Sequence, residues 1–189
     1  MMWVIGNGES RKNIDVHSLQ GKKIGCNAIF RNYYVDHIVC VDRRMVNEAL
    51  KFKVKSIYTR PDWIKSYKDD SVKCVPDLPY KATVRADEPF NWGSGPYALL
   101  IGAKLNHTIK LIGFDLYGIN GRVNNLYKDT ESYDSSDKRA VDPRYWIHQV
   151  AKVFEIYNRR NFIIYNKEGW EMPKAWNFPN VSLDNLNNL

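Results

Sequence analysis

The chain has 189 residues, of which 44% are hydrophobic and 13% aromatic. This composition excludes a disordered chain and fits one folded domain over residues 1–189. Lys and Arg outnumber Asp and Glu by 28 to 21, and the formal net charge of +7 fits either generic solubility or anionic partners such as phosphates, nucleotides, nucleic acid or anionic glycans. Because the basic residues are scattered and no recognition motif is present, nucleic acid is the less favoured partner. No apolar stretch approaches the roughly 20 residues of a membrane span, and residues 1–6 do not resemble a signal peptide, so we expect a cytoplasmic protein.

Short apolar runs alternate with helical patterns along the chain. The runs predict strands at Trp3–Ile5, Lys23–Ala28, His37–Val41, Lys55–Tyr58, Val72–Val75, Thr108–Phe114 and Phe162–Tyr165. A helical turn is predicted at Asn13–Leu19, and helices are predicted from Asp42 to about Lys51, at Ser94–Leu105, and from Pro143 to about Arg159. This alternation predicts an α/β, Rossmann-like fold with a mainly parallel sheet flanked by helices. We expect the tail after Gly169 to pack over the surface, and Cys26, Cys40 and Cys74 to be buried strand residues.

Polar and glycine residues follow the predicted strands at the edge where α/β sheets bind ligands. Gly6-Asn7-Gly8-Glu9-Ser10 follows the first strand. Its glycines allow a ligand to approach the backbone N–H groups closely, and an ordinary tight turn is the alternative interpretation. Asn27 lies at the end of the second strand, where it can either contact a ligand or serve as a turn residue. Asp115, with Tyr117 beside it, ends the strand near residue 114, where a carboxylate can bind ribose hydroxyls, assist a metal or cap a turn.

The residues after Trp92 contain two further candidate features. Gly93-Ser94-Gly95 opens the clearest helix, where free N–H groups can hold an anion and Ser94 can serve as the N-cap. Residues 118–143 are polar and form a predicted lid loop, with Arg122, Tyr127, Lys128 and Tyr133 able to close over a charged ligand. No histidines are paired at metal-ligand spacing, so no metal site is predicted. His148, in the first turns of the helix after the loop, is the favoured histidine for catalysis.

Taken in order, Ile5-Gly6-Asn7-Gly8-Glu9-Ser10, Asn27, Gly93-Ser94-Gly95 and Ile112-Gly113-Phe114-Asp115-Leu116-Tyr117 resemble one family pattern. It is that of small bacterial sialyltransferases and the related hydroxymethylpterin pyrophosphokinase-like proteins, and the resemblance covers roughly residues 3–130. It implies that Asn7, Asn27, Ser94 and Gly95 contact a CMP-sugar donor and that Tyr117 and Tyr127 bind its phosphate. The sialyltransferase branch requires no metal, whereas the pyrophosphokinase-like branch uses ATP with magnesium. Glu9 departs from the usual proline, and the general-base histidine of the sialyltransferase lid is missing from residues 118–143.

These features predict a glycosyltransferase-like enzyme that uses a nucleotide-activated donor of the CMP-sugar type and an acceptor such as a glycan. The donor phosphate is expected at Gly8 and at the start of the helix 94–105. Tyr117 and Tyr127 would stabilise the leaving phosphate, and Asp115 or His148 would be the acceptor base. The alternative is a non-catalytic nucleotide- or glycan-binding protein. A compact chain of this kind could be encoded by a phage, and would then be located in the host cytoplasm, or could belong to a surface-glycan cluster. A nucleic-acid binder is the third hypothesis, supported by the net charge alone.

Overall fold

The computed structural model describes residues 1–80 and 91–189. Its centre is one sheet of eight strands, and every neighbouring pair is parallel. The strands are β1 (Met2–Ile5), β2 (Lys22–Cys26), β3 (His37–Val39), β4 (Ile57–Thr59), β5 (Val72–Cys74), β6 (Thr108–Ile112), β7 (Asn161–Asn166) and β8 (Val181–Asn185). The predicted α/β, Rossmann-like architecture is thereby confirmed.

Helices cover the two faces of the sheet. The α-helices are α1 (Arg43–Lys51), α2 (Pro61–Ile64), α3 (Ser94–Leu105) and α4 (Arg144–Ile156). Short 3-10 helices lie at Glu9–Arg11, Asn27–Arg31, Lys174–Trp176 and Leu186–Asn188. Asp42 caps α1 as predicted, because its carboxylate accepts a hydrogen bond from Arg44 N at 2.8 Å. The central helix α3 is apolar on nearly all sides and buried over most of its length, which accounts for its clear pattern in the sequence.

The strand order is β5-β4-β3-β2-β1-β6-β7-β8. The chain therefore moves outward from β1 on one side, and then crosses to the other side of β1 to form β6, β7 and β8. The reversal between β1 and β6 is a topological switch point, where the connections leave the carboxyl ends of two adjacent strands in opposite directions. Such a crevice is the standard ligand site of open α/β sheets.

Successive residues of each inner strand point to opposite faces, so that the sheet separates two apolar clusters. Val4 of β1 belongs to the cluster under α3 and α4, whereas Trp3 and Ile5 belong to the cluster under α1. Both faces of β1 are therefore buried, as expected for the centre of a parallel sheet. Among the described residues, no helix combines the length and apolar character needed to cross a membrane.

Several predicted boundaries were wrong. Residues 13–19, where a helical turn was predicted, form turns, and the first connection also contains the 3-10 helix Glu9–Arg11, which was not predicted. The tail after Gly169 is part of the domain: it supplies β8, and Trp176 is fully buried. Cys74 is exposed, whereas Cys26 and Cys40 are buried as expected. β6 ends at Ile112 because Gly113 turns the chain with a φ of +69°, a conformation that favours glycine.

Candidate functional site

The carboxyl ends of β1, β2, β3 and β6 meet the first turn of α3 around a cleft of about 330 Å³, at the switch point of the sheet. This volume lies at the lower end of the range for small-molecule sites, roughly 300–1,000 Å³. Seven residues that the sequence predicted as site residues line it: Gly6, Asn7, Gly8, Asn27, Ser94, Gly95 and Asp115. The lining also includes residues that were not predicted, among them Val41, Leu116, Asn124, Asn125 and Trp146.

The first turn of α3 supplies backbone donors to the cleft. The first N–H groups of a helix have no acceptor within the helix, and they lie at the positive end of its dipole. No described residue accepts a hydrogen bond from Ser94 N or Gly95 N. The N-cap of α3 is Gly93 rather than Ser94, so the N-cap interpretation of Ser94 was wrong. Two amides at this helix end are thus open to a ligand that carries acceptor atoms.

The Ser94 hydroxyl ties the neighbouring strand ends to α3. It donates to Asn27 Oδ1 at 2.8 Å and accepts from Val41 N at 3.3 Å. Asn27 adopts a φ of +48°, in the left-handed region that asparagine tolerates better than most residues. Its amide oxygen is thus engaged, and no described residue accepts from its Nδ2 group. Asn27 therefore offers the cleft a donor held in place by Ser94.

The glycine loop after β1 uses its own amides within the protein. Gly6 N donates to Ile112 O at 2.9 Å and Gly8 N to Gly113 O at 3.0 Å, which joins the loop to the end of β6. Glu9 N donates to Asn124 Oδ1 at 2.8 Å. These amides are occupied in this structure, in contrast to the expectation that a phosphate lies at Gly8. Asn7 N of this loop has no acceptor among the described residues, and further open backbone donors lie across the cleft, on α3.

A carboxylate of the protein occupies the position expected for the ligand phosphate. Asp115 Oδ2 accepts from Ser10 N at 2.8 Å, and Asp115 Oδ1 accepts from the Ser10 hydroxyl at 2.5 Å. A Cβ atom at Gly8 would lie 2.3 Å from Asp115 Cγ, so the absence of a side chain there is what admits the carboxylate. Ser10 lies beneath the cleft rather than in its lining. Together these contacts form a latch between the loop after β1 and the loop after β6.

Arg11 is a site residue that the sequence did not reveal. Its side chain is only 2% exposed, although arginine is rarely buried without a partner. Nε donates to Gly6 O at 2.6 Å and an Nη group donates to Asn7 Oδ1 at 3.0 Å. Among the described residues, no carboxylate forms an ion pair with Arg11. The cation is therefore held by neutral oxygens directly under two residues of the cleft.

Asn7 has an internal role, because its amide group has partners on both sides. Its oxygen accepts from Arg11, and its Nδ2 group donates to Cys26 O at 2.9 Å and to Tyr133 Oη at 3.4 Å. Its backbone oxygen accepts from Leu126 N at 2.8 Å. Asn7 lines the cleft, but in this structure its side chain joins the loop after β1 to β2 and to the segment 118–143, rather than offering hydrogen bonds to a ligand.

The predicted lid, residues 118–143, is anchored against the sheet. Tyr127 is 5% exposed and lies in the apolar cluster opposite α3, with its ring centroid 5.7 Å from that of Tyr133. Burial raises the pKa of both phenols. Lys128 pairs with Glu9, and Arg122 donates to Asp137 O. These four predicted closing residues are outside the cleft lining, whereas Asn124 and Asn125 of the same segment belong to it.

Two further predicted catalytic residues also lie outside the cleft lining. Tyr117 is 40% exposed, and its pKa is raised by partial burial and by the negative charge of Glu171. His148 is on α4, where at about 100° per residue it is roughly opposite Trp146 and Val150, the α4 residues that line the cleft. His148 Nε2 is buried, and no hydrogen-bond partner is found for it among the described residues. Asp115 is thus the one predicted catalytic residue that the structure places in the cleft.

The cleft has a consistent hydrogen-bonding character. The side-chain acceptors of Asn27 and Asn125 are engaged, by the Ser94 hydroxyl and by Tyr127 N respectively. Their Nδ2 groups have no described acceptor, and the same is true of Ser94 N and Gly95 N. The open groups on these four residues are therefore donors, which suits a ligand rich in acceptors such as a phosphate ester.

No family model, curated protein or solved structure matches this chain. The resemblance to sialyltransferases and pyrophosphokinase-like proteins therefore stays a prediction, which depends on the order of its short motifs. The evidence for the fold and for the cleft comes from the structure alone.

Proposed function

We propose that the protein is a transferase that binds a nucleotide-activated donor, of the CMP-sugar type, in the cleft at the switch point. The observation that supports this proposal is the open set of donors formed by Ser94 N, Gly95 N and the Asn27 amide at the positive end of α3. A phosphate is the ligand group best matched to such donors, because it is anionic and presents several acceptor oxygens. A nucleotide-sugar has that group at its centre.

The same donors suit the chemistry of group transfer. When the bond between the sugar carbon and the phosphate oxygen breaks, the electron pair stays on the phosphate, and the α3 amides stabilise the growing negative charge. The acceptor hydroxyl forms the new bond and loses its proton to a base. Asp115 is the carboxylate that lines the cleft, and it takes this role if the latch to Ser10 opens.

Magnesium would meet a single protein carboxylate among the described residues of the cleft. Mg²⁺ prefers carboxylate and phosphate oxygens in an octahedral arrangement. Among the described lining residues Asp115 alone has a carboxylate, and each of its oxygens accepts a hydrogen bond from Ser10. The metal-independent branch of the resemblance therefore agrees with the closed latch, whereas the magnesium-dependent branch, like base catalysis by Asp115, would require the latch to open.

A non-catalytic nucleotide-binding protein is the second candidate. It is favoured by the positions of Tyr117, Tyr127 and His148, all of which are outside the cleft lining. Two measurements separate the candidates. Thermal shifts with CMP, CDP, UDP, GDP and ATP, with and without Mg²⁺, test binding, since a ligand at about 100 times its Kd adds roughly 2.7 kcal/mol of stability. Release of free nucleotide from nucleotide-sugars, above the rate measured without protein, tests transfer, because transfer to water also breaks the bond between the sugar and the phosphate.

Asp115→Asn, with Ser10→Ala as its control, tests the base. Both variants weaken the latch, but only the first removes the carboxylate. If Asp115 is the base, its variant should lose at least about a hundredfold in turnover with little change in donor affinity, whereas Ser10→Ala should keep most of the turnover. Donor binding without any release of nucleotide by the native chain would favour the binding protein. Absence of binding to every nucleotide in the panel would overturn the proposal.

A further inference from the structure

Trp146 is an aromatic residue of the cleft to which neither the sequence pattern nor the proposed chemistry gives a role. It lies near the start of α4 and is 37% exposed, although large aromatic side chains are usually buried. One turn further, Val150 also lines the cleft and is buried. α4 packs on the sheet through Val150, Val153 and Phe154, so the core does not require Trp146.

The position of Trp146 depends on a glycine at the start of α3. A Cβ atom at Gly93 would lie 3.1 Å from Trp146 Nε1 and 3.4 Å from its Cδ1, which is closer than most side chains tolerate. Gly93 therefore lets the indole approach the N-terminus of α3. Gly93 N also donates to Gln149 Oε1 at 3.3 Å, which holds the start of α3 against α4. The indole is thereby placed beside the residue that precedes the open amides of Ser94 and Gly95.

We propose that Trp146 is the residue on which the nucleobase of the ligand stacks, and that it makes the cleft selective for nucleotides over other phosphate esters. This inference rests on the proposed function, since it assumes that a phosphate occupies the α3 amides. A planar heterocycle is the ligand group that gains most from an exposed indole at the wall of a cleft. The amide of Asn125 then offers a donor to the carbonyl or ring-nitrogen acceptors of the base.

The selectivity of the cleft can be measured with ligands that share the phosphate and differ in the base. The probes are CMP, AMP and ribose 5-phosphate, and the readout is the Kd from calorimetry. Alanine substitution of a stacking aromatic weakens binding by about 5- to 150-fold per base. Trp146→Ala should weaken CMP and AMP within this range and change ribose 5-phosphate by less than about twofold. Trp146→Phe should recover most of the affinity.

Tyr145 provides a matched control on the same helix. It is 38% exposed, close to the exposure of Trp146, but it does not line the cleft. Tyr145→Ala should therefore leave all three affinities unchanged, and it controls for loss of an exposed aromatic from α4.

Equal weakening of nucleotides and ribose 5-phosphate by Trp146→Ala, or no weakening of either, would overturn the stacking role and leave the proposed function standing. A native chain that binds none of the three probes would overturn both. Loss of CMP affinity in Trp146→Ala, with a melting temperature and ribose 5-phosphate affinity near those of the native chain, supports the inference.

Discussion

Replacement of Gly8 by alanine tests the latch between the two loops of the cleft. The backbone of Gly8 has φ −64° and ψ 149°, which alanine adopts without strain, so any cost comes from the new methyl group. That group would lie 2.3 Å from Asp115 Cγ and 2.5 Å from both carboxylate oxygens. Because these distances are far below van der Waals contact, the carboxylate must move and lose its hydrogen bonds to Ser10.

The magnitude follows from the two hydrogen bonds. A hydrogen bond to a charged group contributes about 1.5–3 kcal/mol, so the loss of both has an upper range of about 3–6 kcal/mol. Since relaxation of the loop recovers part of this, we expect Gly8→Ala to lower the free energy of unfolding by about 3 kcal/mol. In a chain of this size the change corresponds to a fall in Tm of roughly 6–12 °C. Urea titration and thermal melts followed by circular dichroism measure both quantities.

Gly95→Ala is the matched control, because this glycine also lines the cleft and was also predicted to contact the ligand. A Cβ atom there would lie 3.5 Å from Phe114 Cε1, an ordinary contact, and alanine is favoured over glycine within a helix by up to about 1 kcal/mol. Gly95→Ala should therefore be neutral or stabilising. In an Asp115→Ala background, Gly8→Ala should lower the free energy of unfolding by less than about 1 kcal/mol, because the carboxylate that clashes with the new methyl group is absent. Equal costs in the two backgrounds, or a change below about 0.5 kcal/mol in the native background, would refute the latch.

Three other properties of the fold can be tested. Arg11→Met leaves Gly6 O and Asn7 Oδ1 without their buried donor, so we expect the free energy of unfolding, measured by urea titration, to fall by about 2–4 kcal/mol. A fall below about 0.5 kcal/mol would show that the buried guanidinium is dispensable. Burial raises the pKa of Cys26 to about 12 from 9.0, so the unfolded chain releases this proton first as the pH rises. The thiol's contribution to the free energy of unfolding should be complete below pH 9 and fall between pH 9 and 12 by up to about 1.4 kcal/mol per pH unit. In Cys26→Ala, the plot of unfolding free energy against pH should be shallower by this amount over the same range. In hydrogen exchange, Leu126 N should be protected without nucleotide, since it donates to Asn7 O, and rapid exchange there would restore the mobile-lid hypothesis for this part of the loop.

The sequence predicted those parts of the fold that local patterns determine. The bounds of α3 agree with the prediction at both ends, because glycine and proline mark its start and apolar residues continue through it. β8 was missed because Val181–Asn185 is an edge strand with an exposed or half-exposed, mostly polar sequence, which lacks an apolar run. The convergence of strand ends on one cleft could be predicted, since carboxyl ends of parallel strands share an edge.

The partners within the site depend on tertiary contacts that no local pattern contains. Asp115 and Ser10 are 105 positions apart, and their hydrogen bonds turn two expected ligand contacts into an internal latch. Tyr127 lies in a polar loop sequence that predicts exposure, yet the packing of that loop against the sheet buries it. The only feature of the sequence that points to Trp146 as a cleft residue is its position just after the polar segment 118–143. The helical pattern alone does not distinguish Trp146 from core residues of the same helix.

The most direct test of the central claim is an NMR titration of the ¹⁵N-labelled protein with CMP. In the proposed complex the ligand phosphate lies at the N-terminus of α3, and the amides of Gly6, Gly8 and Ser10 keep their internal hydrogen bonds. Ser94 and Gly95 should therefore show the largest saturable shifts of their amide signals, with those of Gly8 and Ser10 smaller. Saturable shifts centred on Gly8 and Ser10 would contradict the location, and absence of any saturable shift with CMP, UMP and AMP would contradict nucleotide binding itself.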